Sequence, residues 1–167
     1  MGPQEQNDQA LKRVCTALRG LRGGVTDTST LIYLDTLKIL PLAGQWVQLM
    51  LIPQVVTEFG RQPVGMPLVT SASTTTTDEA VVQTAITLDV PLFSEDGRML
   101  RKTRRLQHPH YNSLMLLLAL HVQGILSEAQ FFRLREELLG FAHYSKGVVA
   151  YTDIISHVLR EMGPNRL

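Results

Sequence analysis

The feature that most constrains this chain is the alternation of short apolar runs with segments of helical periodicity. Val25-Thr26, Val47–Ile52 and Val90–Ser94 are brief and rich in β-formers. Asp27, Pro53 and Glu95-Asp96-Gly97 stop them in turn. Runs apolar throughout, rather than alternating with polar residues, ask for cover on both faces, as in a parallel sheet carrying helices. The spacing predicts helices over residues 7–20, from Thr28 or Ser29 through Leu34, from Pro41 to about Trp46, and over Gln54–Phe59 closed by Gly60. Gly20, Gly23 and Gly24 read as the stop of the first of these. Further helices are predicted over Thr77–Leu88, Arg98–Leu106, Ser113–Gln123, from the Ser127-x-x-Gln130 capping box to about Leu139, and over 150–162, ended by Gly163-Pro164. Arg61–Thr77, with Pro63, Gly65, Pro67 and the Ser/Thr run Ser71–Thr77, reads as a surface excursion holding one short strand at Leu68-Val69. The expected fold class is α/β, an α/β/α sandwich with a mainly parallel sheet and a helical C-terminal portion.

Composition narrows the function. Among 167 residues, 44% are hydrophobic and 19% charged, enough for a core and too apolar for a disordered chain. The net charge of +1 excludes a histone-like polycation but allows a local basic patch. The apolar run Leu114–Leu120 is far shorter than the ~20 residues of a membrane span. The polar opening carries no secretory pattern, so the expected location is the cytoplasm. A single cysteine, Cys15, excludes an internal disulfide and a thiolate zinc cluster. GxGxxG, GxxxxGK[ST] and GxSxG are absent, which removes support for nucleotide cradles and for a serine-hydrolase elbow.

Four acids fall at element boundaries. Asp27 ends the first strand, Glu58 lies on the helix after the second, Asp78 opens a helix and Asp96 follows the third strand. In an open parallel sheet, ligands collect at the carboxyl ends of strands. Each acid also has a plainer reading: Asp78 as a helix cap, Asp96 as a turn residue before Gly97, Glu58 as a solvated side chain. Asp27 is the hardest to explain that way, because an acid at the end of a core strand is costly without a partner. Converging carboxylates repel one another unless a cation lies between them, and all-oxygen ligands select Mg²⁺ or Mn²⁺.

Val25-Thr26-Asp27-Thr28-Ser29-Thr30-Leu31-Ile32 resembles the opening strand and helix of PIN domains. Pro53-Gln54-Val55-Val56-Thr57-Glu58 is similar to that family's Pro-x-x-Val-x-x-Glu signature, Asp78 to the acid of its central helix, and Ser94-Glu95-Asp96 to its Thr/Ser-x-Asp strand end. Order and spacing agree across residues 22–106. The resemblance implies an N-terminal helical extension over 1–24 and a PIN-like domain over 25–167, with its C-terminal helices from about 113. It implies Asp27, Glu58, Asp78 and Asp96 as a metal-binding and catalytic quartet, with Ser29 and Ser94 as supporting polar groups. The activity implied is a Mg²⁺- or Mn²⁺-dependent endoribonuclease, of toxin type or otherwise, with RNA as partner. An antitoxin protein and a homodimer are further partners to test. The alternatives are a non-catalytic PIN-fold module that binds RNA or protein, and an interaction protein whose acids only cap helices.

Arg98, Arg101, Lys102, Arg104 and Arg105 put five cations within eight residues. They read either as a solvated helix face or as a phosphate-binding face, with Arg98, Arg101 and Arg105 as the RNA contacts. His108 and His110 sit in a His-Pro-His loop, while His121, His143 and His157 are isolated.

Overall fold

In the computed structural model, which describes residues 3–73 and 75–163, two adjacent glycines set the centre of the sheet. A Cβ on Gly24 would stand 2.3 Å from the carbonyl oxygen of Pro91 and 2.8 Å from the Phe93 ring, and one on Gly23 would meet the Gln48 carbonyl oxygen at 2.7 Å. Only glycine lets these backbones approach so closely. Gly23 and Gly24 therefore belong to strand β1 (Gly23–Thr26), not to the end of the preceding helix α1, which spans Pro3–Arg19.

The chain continues through α2 (Thr28–Thr36), α3 (Leu40–Trp46), β2 (Gln48–Met50), α4 (Pro53–Phe59), α5 (Thr77–Thr87), β3 (Leu92–Phe93), α6 (Gly97–Arg105), β4 (His110–Tyr111), α7 (Ser113–Val122), α8 (Glu128–Phe141) and α9 (Lys146–Glu161). The sheet has the order β2-β1-β3-β4, and every pairing is parallel. Val25 registers with Met50 on one side and Leu92 on the other, and Phe93 registers with Tyr111. The expected strand at Leu68-Val69 contributes one parallel bridge, Leu51 to Leu68. Strand β4 was expected as loop; it pairs because Leu92 and Ser94 donate their amides to the carbonyls of Pro109 and Tyr111. Pro164, read as a helix stop, and Thr74 in the Ser/Thr run lie outside the described residues.

The chain divides into two compact units. Arg22–Ser113 is the α/β unit. Its α5 packs on β1 and β3, α3 on β2, α6 on β4, and α2 on α3 and α4. Helices against a four-stranded parallel sheet are compatible with an α/β/α layering. Val25, Leu31, Leu34, Leu49, Leu51, Ile52, Val55, Val81, Ala85, Leu92 and Phe93 are fully buried. Each large side chain among them contributes roughly 1.5–3 kcal/mol.

The other unit joins the segments before Arg22 and after Ser113. Here α1 packs on α9, and side chains reach carbonyls that helix ends leave without partners. Arg19 donates to the carbonyl oxygens of Leu159 and Gly163 at the end of α9, and Gln123 Nε2, just after α7, donates to Leu18 O in the last turn of α1 and to Leu21 O beyond it (2.9 and 3.0 Å). The Ser127–Gln130 capping box forms as the sequence predicts. Arg135 links α8 to α9 through Asp153 at 2.9 Å. Every residue from Leu114 to Leu120 is buried within the single chain, as an all-round apolar helix requires.

Candidate functional site

Because all four strands run the same way, their carboxyl ends share one edge. The chain turns from β1 to β2 on one side and returns to β3 on the other, so the strand order switches between β1 and β3. That is where an open parallel sheet leaves a crevice for ligands. Asp27 follows β1 there, and Ser94, Glu95 and Asp96 follow β3.

Asp27 is 6% exposed. It caps α2, a role the sequence reading gave to Thr28 or Ser29. Its Oδ1 accepts from Thr30 N (3.0 Å) and Ser29 Oγ (2.7 Å), and its Oδ2 accepts from Ser94 Oγ (2.6 Å). The Glu95 amide donates to Ser29 Oγ (3.0 Å) and the Asp96 amide to Ser94 Oγ (3.0 Å). An amide can only donate, which leaves each hydroxyl its own proton to give to Asp27. With the hydroxyl protons turned to it, Asp27 accepts at both oxygens, an arrangement that suits an ionised group. Burial nonetheless pushes the Asp27 pKa up, against the lowering by Ser94, Ser29 and the Thr30 amide, and the field of Asp78 adds to the rise.

Asp96 caps α6, where its Oδ1 accepts from Arg98 N (2.7 Å) and Met99 N (3.0 Å). The Met99 amide bond is the main cause of its lowered pKa; partial burial opposes it, and the Arg98 amide and the charges of Arg98 and Arg101 reinforce it. Glu58 is exposed on α4, and its Oε2 accepts from Thr28 Oγ1 at 2.8 Å, which ties it to the start of α2 beside Asp27. Asp78 is exposed in the first turn of α5. It is not the cap: the Thr76 hydroxyl accepts from Glu79 N in that place. The starts of α2, α5 and α6 therefore bring their positive dipole ends, and three acids with them, to the strand edge.

Three residues of this network went unassigned in the sequence. Glu95, adjacent to a matched acid, accepts at Oε1 from Ser113 N (2.7 Å), Ser113 Oγ (2.5 Å) and Thr30 Oγ1 (3.2 Å). Thr30 could have been found as the third residue after a cap, but nothing in the sequence pairs Glu95 with Ser113, 18 positions on.

The cations are exposed along α6. Lys102 pairs with Glu79 at 3.5 Å, while Arg98 and Arg101 lie near enough to act on Asp96. His108 Nε2 bonds the Val90 carbonyl oxygen (2.7 Å) and His110 Nδ1 the His108 carbonyl oxygen (2.8 Å), so each ring serves the backbone around β4.

A divalent cation would meet only oxygen donors at this edge, a set that fits Mg²⁺ or Mn²⁺ in chemistry. Among the described residues no three His, Cys, Asp or Glu side chains stand placed to hold one ion. Glu58 and Asp78, both exposed, are the side chains with room to reorient. Comparison with protein-family models, curated proteins and solved structures finds no match.

Proposed function

We propose that this chain is a PIN-type ribonuclease that depends on Mg²⁺ or Mn²⁺ and hydrolyses RNA phosphodiester bonds. One observation carries the reading. Asp27 is a buried carboxylate whose three donors are all neutral, and the charge that acts on it is a second carboxylate, Asp78. A buried anion held in that way gains from a cation brought to it. Asp27, Glu58, Asp78 and Asp96 would hold the ion. The chemistry such an ion supplies is activation of water and neutralisation of charge on the phosphate.

The chain's own groups do the rest. Ser29 and Ser94 orient the Asp27 oxygens, and the α6 cap fixes Asp96. Arg98 and Arg101, on the turn after Asp96, and Arg105 farther along α6 hold phosphates of the strand beside the acids.

The test is cleavage of end-labelled single-stranded RNA in Mn²⁺ by the parent, Asp27→Asn and Asp96→Asn, with circular dichroism to verify folding. Each variant should lose more than the roughly 10–100-fold that follows loss of an outer-shell partner at a metal site. Folded variants that cleave as well as the parent overturn the proposal. A parent that binds RNA without cutting it supports the alternative, a non-catalytic PIN-fold module. That reading draws on Asp27 and Asp96 being helix caps in their own right.

A further inference from the structure

Ser94, Glu95 and Asp96 are consecutive, and each is committed to a different helix start: Ser94 to Asp27 at α2, Glu95 to Ser113 at α7, Asp96 to α6. Glu95 stands out because one of its oxygens, Oε1, accepts from both Thr30 on α2 and Ser113 on α7. Thr30 gives its amide to Asp27 and its hydroxyl to Glu95. The Glu95 amide in turn holds Ser29, whose hydroxyl serves the same Asp27 oxygen. Two of the three donors to Asp27 are therefore held from behind by one residue, and that residue is anchored to Ser113 by two further bonds.

We infer that Glu95 is a positioning residue. It clamps the Asp27–Thr30 turn against the first residue of α7 and so holds Asp27 ready for a cation. The consequence for cation binding rests on the function proposed above; the clamp itself does not. Glu95 bears on the Thr30 and Ser29 donors to Asp27. It serves through Thr30 and Ser29 rather than as a fifth ligand. A carboxylate that only capped α7 would have no need of the Thr30 hydroxyl.

The experiment uses the full chain labelled with ¹⁵N. Amide hydrogen exchange at positions 30 and 113 and Mn²⁺ affinity by calorimetry are measured for the parent, Glu95→Ala, Glu95→Gln and Thr30→Val. In Glu95→Ala both amides should exchange about tenfold faster or more, and Mn²⁺ affinity should fall roughly 10–100-fold. Glu95→Gln keeps a carbonyl oxygen as acceptor and should restore protection at position 30. Faster exchange at Ser113 alone, with position 30 and Mn²⁺ affinity unchanged, means that Glu95 merely caps α7 and overturns the inference. If Glu95→Ala does not fold, Thr30→Val decides: it removes only the bond to Glu95, so unchanged exchange at position 30 and unchanged affinity overturn the clamp. A parent that shows no Mn²⁺ heat refutes the metal reading instead, and exchange at position 30 then judges Glu95 by itself.

Discussion

Thr26 sits one residue before the acid on which the site turns, fully buried, and its Oγ1 is the buried side-chain polar atom without a hydrogen-bond partner among the described residues. Such an orphan costs about 1–3 kcal/mol. Thr26→Val keeps the branched shape that suits a strand and removes the hydroxyl. It should stabilise the fold by about 1 kcal/mol in urea denaturation, with the slope of the transition unchanged. His110 gives the pH dependence at this scale. Burial, the largest cause, pulls its pKa below the ordinary 6.5, with Arg104 and His108 adding to the fall and a bond to the His108 carbonyl resisting it. The folded chain therefore prefers the neutral ring. The stability this gives is complete above the unfolded pKa and is lost as pH falls towards the folded one. Between about pH 7.5 and 5.5 the parent should lose more stability than His110→Gln, as thermal melts across that window will show. Asp27 was legible as important because an acid after Val25-Thr26 and before Ser29-Thr30 combines a costly location with capping chemistry. Its hydroxyl partner Ser94 is 67 positions away, so no local pattern pairs the two; the family resemblance named Ser94 as a supporting polar group.

At the scale of elements, α6 is the piece whose role can be read off a salt titration. Its cations do not share one task, since Lys102 already pairs with Glu79 across to α5. If the helix lines single-stranded RNA, replacing Arg98, Arg101 or Arg105 by Ala should each lower the log–log salt slope of binding by roughly 0.7. Lys102→Ala should lower it less, because part of that charge is spent within the protein. Filter binding from low to moderate salt measures this, and equal slopes for all four variants would return α6 to a solvated face. Helices α2 to α9 were largely legible because caps, prolines and glycines punctuate them. Strands β1, β2 and β3 were legible as short apolar runs, but the start of β1 and the whole of β4 were not. Gly23 and Gly24 fit a helix stop by local chemistry; what places them in β1 is how close Pro91 and Gln48 lie. His110-Tyr111 is too short and too polar to announce a strand, and it is one only because Phe93 and its neighbours stand ready to pair.

At the scale of the whole molecule, the proposed function makes a divalent ion a ligand of the native state alone. Mn²⁺ at about 100 times its dissociation constant should then add ~2.7 kcal/mol to stability. Differential scanning calorimetry should show a higher melting temperature in Mn²⁺ and no such rise for Asp27→Asn; a melting temperature indifferent to Mn²⁺ counts against the site. The α/β class was legible from alternation alone, whereas the joining of both chain ends in one unit was not, because α1 and α9 lie some 140 positions apart and meet through contacts such as Arg19 to Leu159. The triplet after β3 also has a meaning for how this chain can change over generations. Ser94, Glu95 and Asp96 each answer to a different partner, so their register is as fixed as their identities. Adding or deleting one residue between Phe93 and Gly97 would misdirect three helix starts at once. Between Gly60 and Ser71 the backbone forms one bridge, Leu51 to Leu68, and most of that length is open to insertion. Length variation among descendants of this chain should therefore gather in that excursion and stay out of the three residues after β3.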